Sequence, residues 1–332
     1  MVEAVPATPL RVSVVIPAFK RSEMLRKAVL SALQQDLDKN QYEVIVVDSS
    51  PDDQNVRVVK ELEGSASCSL RCYVKEAEGP AASRNLGVRH ARGEAIAFLD
   101  SDCRATPGWL REGLAAFEDG VGLVQGRTVG DPEGKDGVFT SYVLVEKEGF
   151  VYETCNIFYP RKVLEEMGGF DNSYYNSYYS RGRALTPMGG EDVDLAWRVK
   201  RRGWKSRFAA RALVYHEIRP IPVIRWYWNK RYFTWPLLAK RFPELRKFFF
   251  ARYFWDKSQA CLVAAVTGLL LAPVALPALA LCIPYAALRL SVPSKSFPGV
   301  LRPLRILAYF PRDLAAFLLL LAGSLWHRTV LL

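Results

Sequence analysis

Residues Ile96 to Cys103 read IAFLDSDC. An apolar run with the composition of a buried strand stops at two aspartates one residue apart. In an extended backbone side chains alternate, so Asp100 and Asp102 project to one face, where two like charges call for an opposing one. On the residues alone two readings stay open: a solvated loop, and a seat for a divalent cation. Capping of the following helix does not account for the pair, because ATPGWL just beyond supplies Thr106 as the expected N-cap and Pro107 at the first helical position.

Around this stretch, short β-rich runs alternate with helical patterns, which predicts βαβ units, an α/β class and a mostly parallel, Rossmann-like sheet with flanking helices. VSVVI is the first strand and ends at Pro17; Ser22 is the expected cap of a helix whose Leu25, Ala28, Val29, Ala32 and Leu33 share one face. YEVIVVD is the second strand and RCYVKE the third, followed by a helix from about Pro80 to Arg92 closed by Gly93. EAIAFLD is the fourth. Ligands of open α/β sheets sit beyond the carboxyl ends of strands, where Pro17, Phe19, Asp48, Asp100 and Asp102 all fall. Neither G-x-G-x-x-G after the first strand nor G-x-x-x-x-G-K-[ST] occurs, which argues against a dinucleotide enzyme and a P-loop NTPase. A nucleotide bound here needs side chains and a metal against its phosphates.

The chain has 332 residues and a formal net charge of +11, enough length for one large α/β domain and something smaller. The charge is uneven. Between Arg219 and Lys257 ten Lys or Arg face two acids, Glu244 and Asp256, and the cations are interleaved with aromatics. Such interleaving can bind single-stranded nucleic acid. The apolar tail immediately beyond it favours an interfacial segment, so the expected partner is a membrane and not a nucleic acid. The six cysteines are scattered without a C-x-x-C pair, which argues against a zinc cluster or a disulfide framework and for a reducing compartment. MVEAVPATPLRVSVVIP lacks the basic start, hydrophobic region and cleavage site of a signal peptide, so the N-terminal half is expected to stay in the cytoplasm.

Five motifs occur in order: VSVVIPAFKR, YEVIVVDSSPDD, GPAASRNLGVRHARGEAIAFLDSDC, NIFYPRKVLEEMGGFD and GGEDVDLAWRVKRRGW. Together, over about Val12 to His216, they resemble the family 2 glycosyltransferases of GT-A fold, in particular the membrane-associated bacterial and archaeal type. The resemblance implies a nucleotide-diphospho-sugar donor, UDP- or GDP-type, and a hard divalent ion, Mn or Mg, held by few carboxylates. It makes Asp102 the metal aspartate and Asp100 its partner nearer the ribose, with Ser101 between them. It places Pro17 and Phe19 against the base, Asp48 as a hydrogen-bond acceptor for the base, and Arg84 near the base or phosphates. Asp48 also reads as a turn-forming residue before SSPDD.

In GGEDVDLAWRVKRRGW two glycines free the backbone, and Glu191, Asp192 and Asp194 fall in the first turn of a helix with Leu195 and Val199 on its apolar side. Acids there complement the helix macrodipole. The resemblance implies more: this motif carries the general base of inverting transferases, Asp192 first and Glu191 next. His216, at the end of ARALVYHE, reads either as a structural histidine or, by resemblance, as the residue that completes the metal site.

The chain departs from the family pattern twice. NSYYNSYYSRGRALTPM, between GGFD and GGED, is longer and richer in tyrosine than expected, which leaves the acceptor side unassigned. Processive synthases carry Q-x-x-R-W; PVIRW keeps Arg225 and Trp226 but has Pro222 for the glutamine, so processive synthesis is not expected. The expected organisation is a GT-A catalytic domain over 1–218, interfacial aromatic and basic helices over 219–257 and a hydrophobic membrane-associated helical region over 258–332. Within the last, Ala260 to Leu288 is an apolar run interrupted by Pro273, Pro277 and Pro284, and Leu314 to Trp326 is a shorter one after Arg312 and Asp313. The first is expected to enter the cytoplasmic leaflet, bend near its prolines and return, the second to lie shallow. Two tilted crossings, with the loop from Ser291 to Pro303 outside, are the rival. The expected function is transfer of one sugar to a lipid or lipid-linked glycan at the cytoplasmic face of the cell membrane. Transfer to polyprenyl phosphate, and a catalytically silent nucleotide-sugar-binding scaffold, are the alternatives.

Overall fold

The runs VSVVI, YEVIVV and AIAFL are apolar without a break, and a strand of that composition is stable only where both faces of its sheet are covered. In the computed structural model, which describes residues 10–137, 139–175, 189–291 and 304–332 with Arg305 as backbone only, they are the central strands of a sheet in the first of two compact units. This unit comprises Met1–Lys135, Tyr142–Pro187 and Glu191–Ile218. Its elements are β1 (Val12–Ala18), α1 (Ser22–Leu33), β2 (Tyr42–Asp48), α2 (Gln54–Glu63), β3 (Ser69–Val74), α3 (Pro80–His90), β4 (Ala95–Leu99), β5 (Cys103–Ala105), α4 (Trp109–Ala115) and β6 (Val121–Gly130). After β7 (Thr140–Ser141), which belongs to the second unit, come β8 (Asn156–Pro160), α5 (Arg161–Met167), α6 (Glu191–Arg201) and β9 (Lys205–His216).

The eight strands of the first unit's sheet run in the order β3-β2-β1-β4-β8-β6-β9-β5. Pairs β1·β2, β2·β3, β1·β4 and β6·β9 are parallel, whereas β8 runs against both β4 and β6, and β5 against β9. The sheet is therefore mixed, parallel in its N-terminal half. Asn156, fully buried at the start of β8, ties the antiparallel half together. Its Oδ1 accepts from Trp109 Nε1 at 2.8 Å, and its Nδ2 donates to the carbonyls of Arg127 at 2.8 Å and Ala212 at 2.9 Å. Those carbonyls flank the register shift between β6 and β9 after Gly126, so the side chain satisfies backbone groups that a regular ladder would have paired.

Several local expectations shift. Ser22 is the first residue of α1 rather than its cap; Arg21 precedes the helix with φ 61°, and no side chain caps it. Thr106 does not cap either. Its hydroxyl donates to the Leu213 carbonyl at 3.0 Å, tying the turn to β9, and α4 begins only at Trp109. Helix α3 stops at His90, and Gly93 has a different duty from closing it: a Cβ there would lie 2.5 Å from Ser13 N and Val12 C, so only glycine lets the chain pass β1. Glu43, wholly buried in β2, accepts from the Ser13 hydroxyl and pairs with Arg71 and Arg92. Burial would raise its pKa, and these donors outweigh burial and leave the carboxyl below its ordinary range.

The second unit comprises Asp136–Ser141, Met188–Gly190 and Arg219–Leu332. It contains β10 (Arg219–Pro220) paired with β7, then α7 (Val223–Tyr227), α8 (Trp235–Arg241), α9 (Lys257–Leu271), α10 (Ile283–Ser291) and α11 (Leu304–His327), with 3-10 turns between. Some of the aromatics of the basic stretch pack inward, while Trp228, Phe248, Phe250 and Tyr253 are exposed. Trp235, Phe249 and Trp255 form a cluster with the Trp235 and Trp255 rings 4.7 Å apart, and Phe242 is 1% exposed. Helix α9 is capped by Asp256, which accepts from the amides of Ser258 and Gln259. The chain bends after Ala272 and returns over α9. A Cβ on Gly268 would meet the Ala278 carbonyl at 2.5 Å, so this glycine sets how closely the returning segment packs.

The second apolar run is longer than its sequence suggested. Helix α11 spans 24 residues with Pro311, Arg312 and Asp313 inside it, and Ile306–His327 is long and apolar enough to cross a bilayer. The charges do not end the helix because the Asp313 carboxylate is held by Tyr285 and Arg289. The loop expected on the outside in the rival topology, and most of the tyrosine-rich insertion, lie outside the described residues.

Replacing Gly93 by alanine is expected to cost about 1–3 kcal/mol of stability, as for overpacking against atoms that cannot rotate away. A lowered thermal unfolding midpoint of the G93A protein, with the equivalent change at the open position Gly64 leaving it within error, checks this.

Candidate active site

The DSD stretch does not continue β4. The strand ends at Leu99, and Asp100 to Asp102 form a turn closed by the Cys103 amide donating to the Asp100 carbonyl at 3.0 Å. Strand alternation therefore does not set the two carboxylates side by side, and each has its own cation. Asp100 Oδ1 is 3.0 Å from Arg84 Nη2. Asp102 Oδ2 is 3.3 Å from Arg21 Nη1, and its Oδ1 is 3.7 Å from His216 Nε2. Ser101 between them is half-buried.

Arg84 joins this turn to the second acidic motif. It projects from α3 with its side chain 5% exposed, and its Nη1 donates to Glu191 Oε1 at 3.1 Å while Nη2 donates to Asp100. Burial would lower the arginine's pKa; the charges of Asp100 and Glu191 outweigh it and raise it, so the guanidinium stays charged. The Phe170 ring lies 5.6 Å beneath. The expectation that Arg84 meets the base or phosphates is thus qualified: its two terminal nitrogens are engaged by protein carboxylates.

Helix α6 begins with three acids in three environments. Glu191 is buried against Arg84. Asp194 is fully buried, with Oδ1 2.6 Å from Arg198 Nε and Oδ2 accepting from the Tyr174 hydroxyl at 3.1 Å. Asp192 is half-buried, the one of the three that solvent reaches appreciably, and its Oδ1 accepts from the Val193 amide at 2.8 Å. Gly189 and Gly190, with φ 74° and 117°, deliver the chain to this helix through conformations that residues with a Cβ rarely adopt.

At the end of β2, Asp48 is fully buried. Its Oδ1 accepts from the Ser50 amide, the Ser50 hydroxyl and Asn55 Nδ2, the turn-forming role that its sequence suggested. Its Oδ2 is buried with no hydrogen-bond partner among the described residues, which leaves one acceptor for a ligand. Phe19 is 49% exposed beyond β1 and Pro17 half-buried within it. Between them and α1 lie two successive residues in the left-handed region, Lys20 at φ 59° and Arg21 at φ 61°. Such residues cost roughly 1–3 kcal/mol each and persist where neighbours hold them. Here Ser50 Oγ accepts from the Lys20 amide at 2.6 Å and Asn55 Nδ2 donates to the Lys20 carbonyl at 3.2 Å. The turn that brings Arg21 to Asp102 is thereby tied to Asp48.

Asp102, Cys103 and His216 offer a carboxylate oxygen, a thiol and an imidazole nitrogen all within 4.8 Å of one another, a set that could hold a metal ion. Cys103 and His216 are paired across β5 and β9. His216 Nδ1 lies 2.9 Å from the Glu217 carbonyl, which can only accept, so Nδ1 is the donating nitrogen there and Nε2 is the one that faces Asp102. Burial pushes the Cys103 thiol well above its ordinary pKa, so it is the least ready donor of the three.

Sequence reading missed Arg21, Asn55 and Cys103. A basic residue after P-A-F-K and a cysteine after DSD are visible in the sequence, but that they converge depends on the left-handed turn and on the β5·β9 register.

Known proteins resemble this chain in sequence and in fold. Residues 13–171 match the model of "Glycosyl transferase family 2" and residues 95–292 that of "Glycosyl transferase family group 2". The chain is 28% identical over 219 residues to the glycosyltransferase AglE of Haloferax volcanii, covering 63% of this chain and 67% of that protein. It is 31% identical over 224 residues to the pre-mycofactocin glycosyltransferase of Mycobacterium tuberculosis, covering 43% of that protein, so it spans less than half of this second relative. Among solved structures, the mannosyltransferase PcManGT from Pyrobaculum calidifontis superimposes with a TM-score of 0.56 at 17% identity, over 98% of this chain and 90% of that one. GalNAc-T7 does so with a TM-score of 0.51 at 16% identity, over 64% of this chain and 44% of that one. The architecture is that of the GT-A glycosyltransferases. The chain belongs to glycosyltransferase family 2.

Exchange of Arg84 for glutamine strands two carboxylates that it now neutralises. Losing one partner of a buried ion pair costs about 3–5 kcal/mol, so the R84Q protein is expected to unfold at markedly lower denaturant concentration. R84K, which keeps the charge but not the fork, should fall between the two in the same titration.

Proposed function

We propose that this chain is an inverting, metal-dependent glycosyltransferase that moves a single sugar from a nucleotide-diphospho-sugar to a hydroxyl of a lipid or lipid-linked glycan at the cytoplasmic face of a membrane. The observation that carries this reading is the junction through Arg84, which ties the DSD turn at the end of β4 to the acids that open α6. Donor and base functions need to be held at a fixed separation, and a buried two-armed ion pair does that.

Asp48, through its unpartnered Oδ2, and the exposed ring of Phe19 are the residues proposed to hold the base, with Pro17 shaping the same strand end. Asp100 and Ser101 face the ribose and phosphates in this reading. Asp102 and His216 are the proposed ligands of Mn or Mg, which when bound supplies positive charge to the departing diphosphate. PcManGT was captured with GDP-mannose and Mn2+, and GalNAc-T7 with UDP, GalNAc and Mn2+, which supports a divalent ion and a UDP- or GDP-type donor.

The proposed base is Asp192, which the family resemblance favours and which solvent reaches, while Glu191 is buried against Arg84 and Asp194 against Arg198 and Tyr174. Its carboxylate takes the proton of the acceptor hydroxyl as that oxygen bonds to the anomeric carbon. The bond from that carbon to the diphosphate breaks on the opposite side, and its electron pair leaves with the phosphate oxygen. One displacement of this kind inverts the anomeric centre. The membrane-proximal acceptor is supported by the basic, aromatic and apolar composition of the second unit and by the length of α11.

Two outcomes test the reading. Asp192→Asn is expected to lower turnover by roughly two to four orders of magnitude with donor affinity little changed, as for loss of a general base; a near-normal rate would point to an acceptor that is already ionised, such as polyprenyl phosphate. In calorimetry without acceptor, donor binding should weaken when chelator replaces Mn and in the Asp102→Asn protein, and equal affinity in all three would remove the metal role.

A further inference from the structure

The second unit holds more positive charge than the whole molecule. From Arg219 to Leu332 the sequence has sixteen Lys or Arg and three acids, and after Ser258 the sole acid is Asp313. That carboxylate is already engaged: it accepts from the Tyr285 hydroxyl at 2.6 Å and pairs with Arg289. Arg289 Nε is buried with no hydrogen-bond partner among the described residues. Arg312, the neighbour of Asp313 in α11, has no ion pair with any carboxylate among the described residues.

Both guanidinium groups lie on one ring. Arg289 Cζ is 5.2 Å and Arg312 Cζ 5.0 Å from the centre of Tyr309, and Arg312 is also 5.0 Å from the centre of Trp226. Trp226 and Tyr309 are themselves in contact, with ring centres 5.5 Å apart. Two like charges held this close with one carboxylate between them leave one positive charge uncompensated among apolar helices. Aromatic contact at the face of a guanidinium leaves its N–H edge for an oxyanion, the geometry in which arginine binds phosphate through two parallel hydrogen bonds.

We propose that Arg312, backed by Arg289 and fixed by Trp226 and Tyr309, is a binding site for the phosphate headgroup of a membrane lipid. A lipid, rather than free phosphate, is indicated by what surrounds it. Ile224 is 73% exposed and Val223 50% on the helix that carries Trp226, and Leu307 is 71% exposed two residues before Tyr309. The apolar run from Leu314 to Trp326 rises roughly 20 Å at 1.5 Å per residue, which puts Arg312 at its polar end. A phosphate on hydrocarbon chains satisfies both the charge and these aliphatic side chains; inorganic phosphate satisfies only the charge. This site names the chemistry of the membrane partner in the proposed function and rests on the membrane-proximal part of that reading alone.

The test uses the full chain in neutral detergent, with chelator and without donor, so that the transfer reaction plays no part in its outcome. Dioctanoyl phosphatidic acid, dioctanoyl phosphatidylcholine and inorganic phosphate are titrated separately by calorimetry. The wild-type protein is expected to bind phosphatidic acid about tenfold or more tighter than phosphatidylcholine, the scale of one charge-assisted contact. Arg312→Gln should abolish that preference and Arg312→Lys retain part of it, while Arg328→Gln, an exposed cation outside the cluster, should leave it intact. Equal binding of phosphatidic acid by wild type and R312Q, or no preference over phosphatidylcholine in the wild type, overturns the site. Inorganic phosphate binding as tightly as phosphatidic acid overturns its assignment to a lipid. Should R312Q fail to fold, the R312K titration decides: affinity unchanged from wild type argues against the planar contact proposed here.

Discussion

Arg84 is the constraint around which the first unit's acidic centre is built. A cation with its side chain 5% exposed is costly unless its charge is matched, and it is matched by two carboxylates from elements far apart in sequence. The turn after β4 and the start of α6 cannot drift from one another without leaving a charge unpaired. Glu43 between Arg71 and Arg92, and Asp194 beside Arg198, use the same physics elsewhere in the unit. The GT-A sheet of this chain thus carries its polar functions as paired charges at the edges of an apolar core.

Environment separates residues that composition treats alike. Glu191, Asp192 and Asp194 are three acids within four positions, yet Glu191 and Asp194 are buried against guanidinium groups and Asp192 is half-buried. The two oxygens of Asp48 also differ, one spent on the local turn and one without a hydrogen-bond partner among the described residues. Backbone strain at Lys20 and Arg21 contributes as well, since it directs Arg21 onto Asp102, where a positive charge stands beside the candidate metal ligands.

The second unit shows the opposite economy of charge. Its helices are apolar, its cations outnumber its acids, and its aromatic residues include an internal cluster around Trp255 and a cation-bearing group around Tyr309. The buried carboxylate of Asp313 lets α11 continue through Arg312 and Asp313, which on composition alone interrupt its apolar run. A tail that reads as two separate apolar stretches is therefore one hairpin and one long helix.

The sequence by itself determined the class of the fold, the family and which acids stand at the strand ends. Those follow from local pattern: unbroken β-branched runs, the five ordered motifs and the Gly-Gly-acid helix start depend on neighbours along the chain. It placed neither the antiparallel half of the sheet nor the helix starts at Ser22 and Trp109, because these depend on who pairs across space. Gly93 illustrates the difference, being legible as a helix stop but needed for its approach to β1. Only the tertiary structure decided that Asp100 and Asp102 answer to different cations, that Arg84 faces carboxylates, and that Cys103 and His216 meet through strand register. The reason is that a buried charge is defined by its partners, and partners drawn from separate elements are brought together only when the chain has folded.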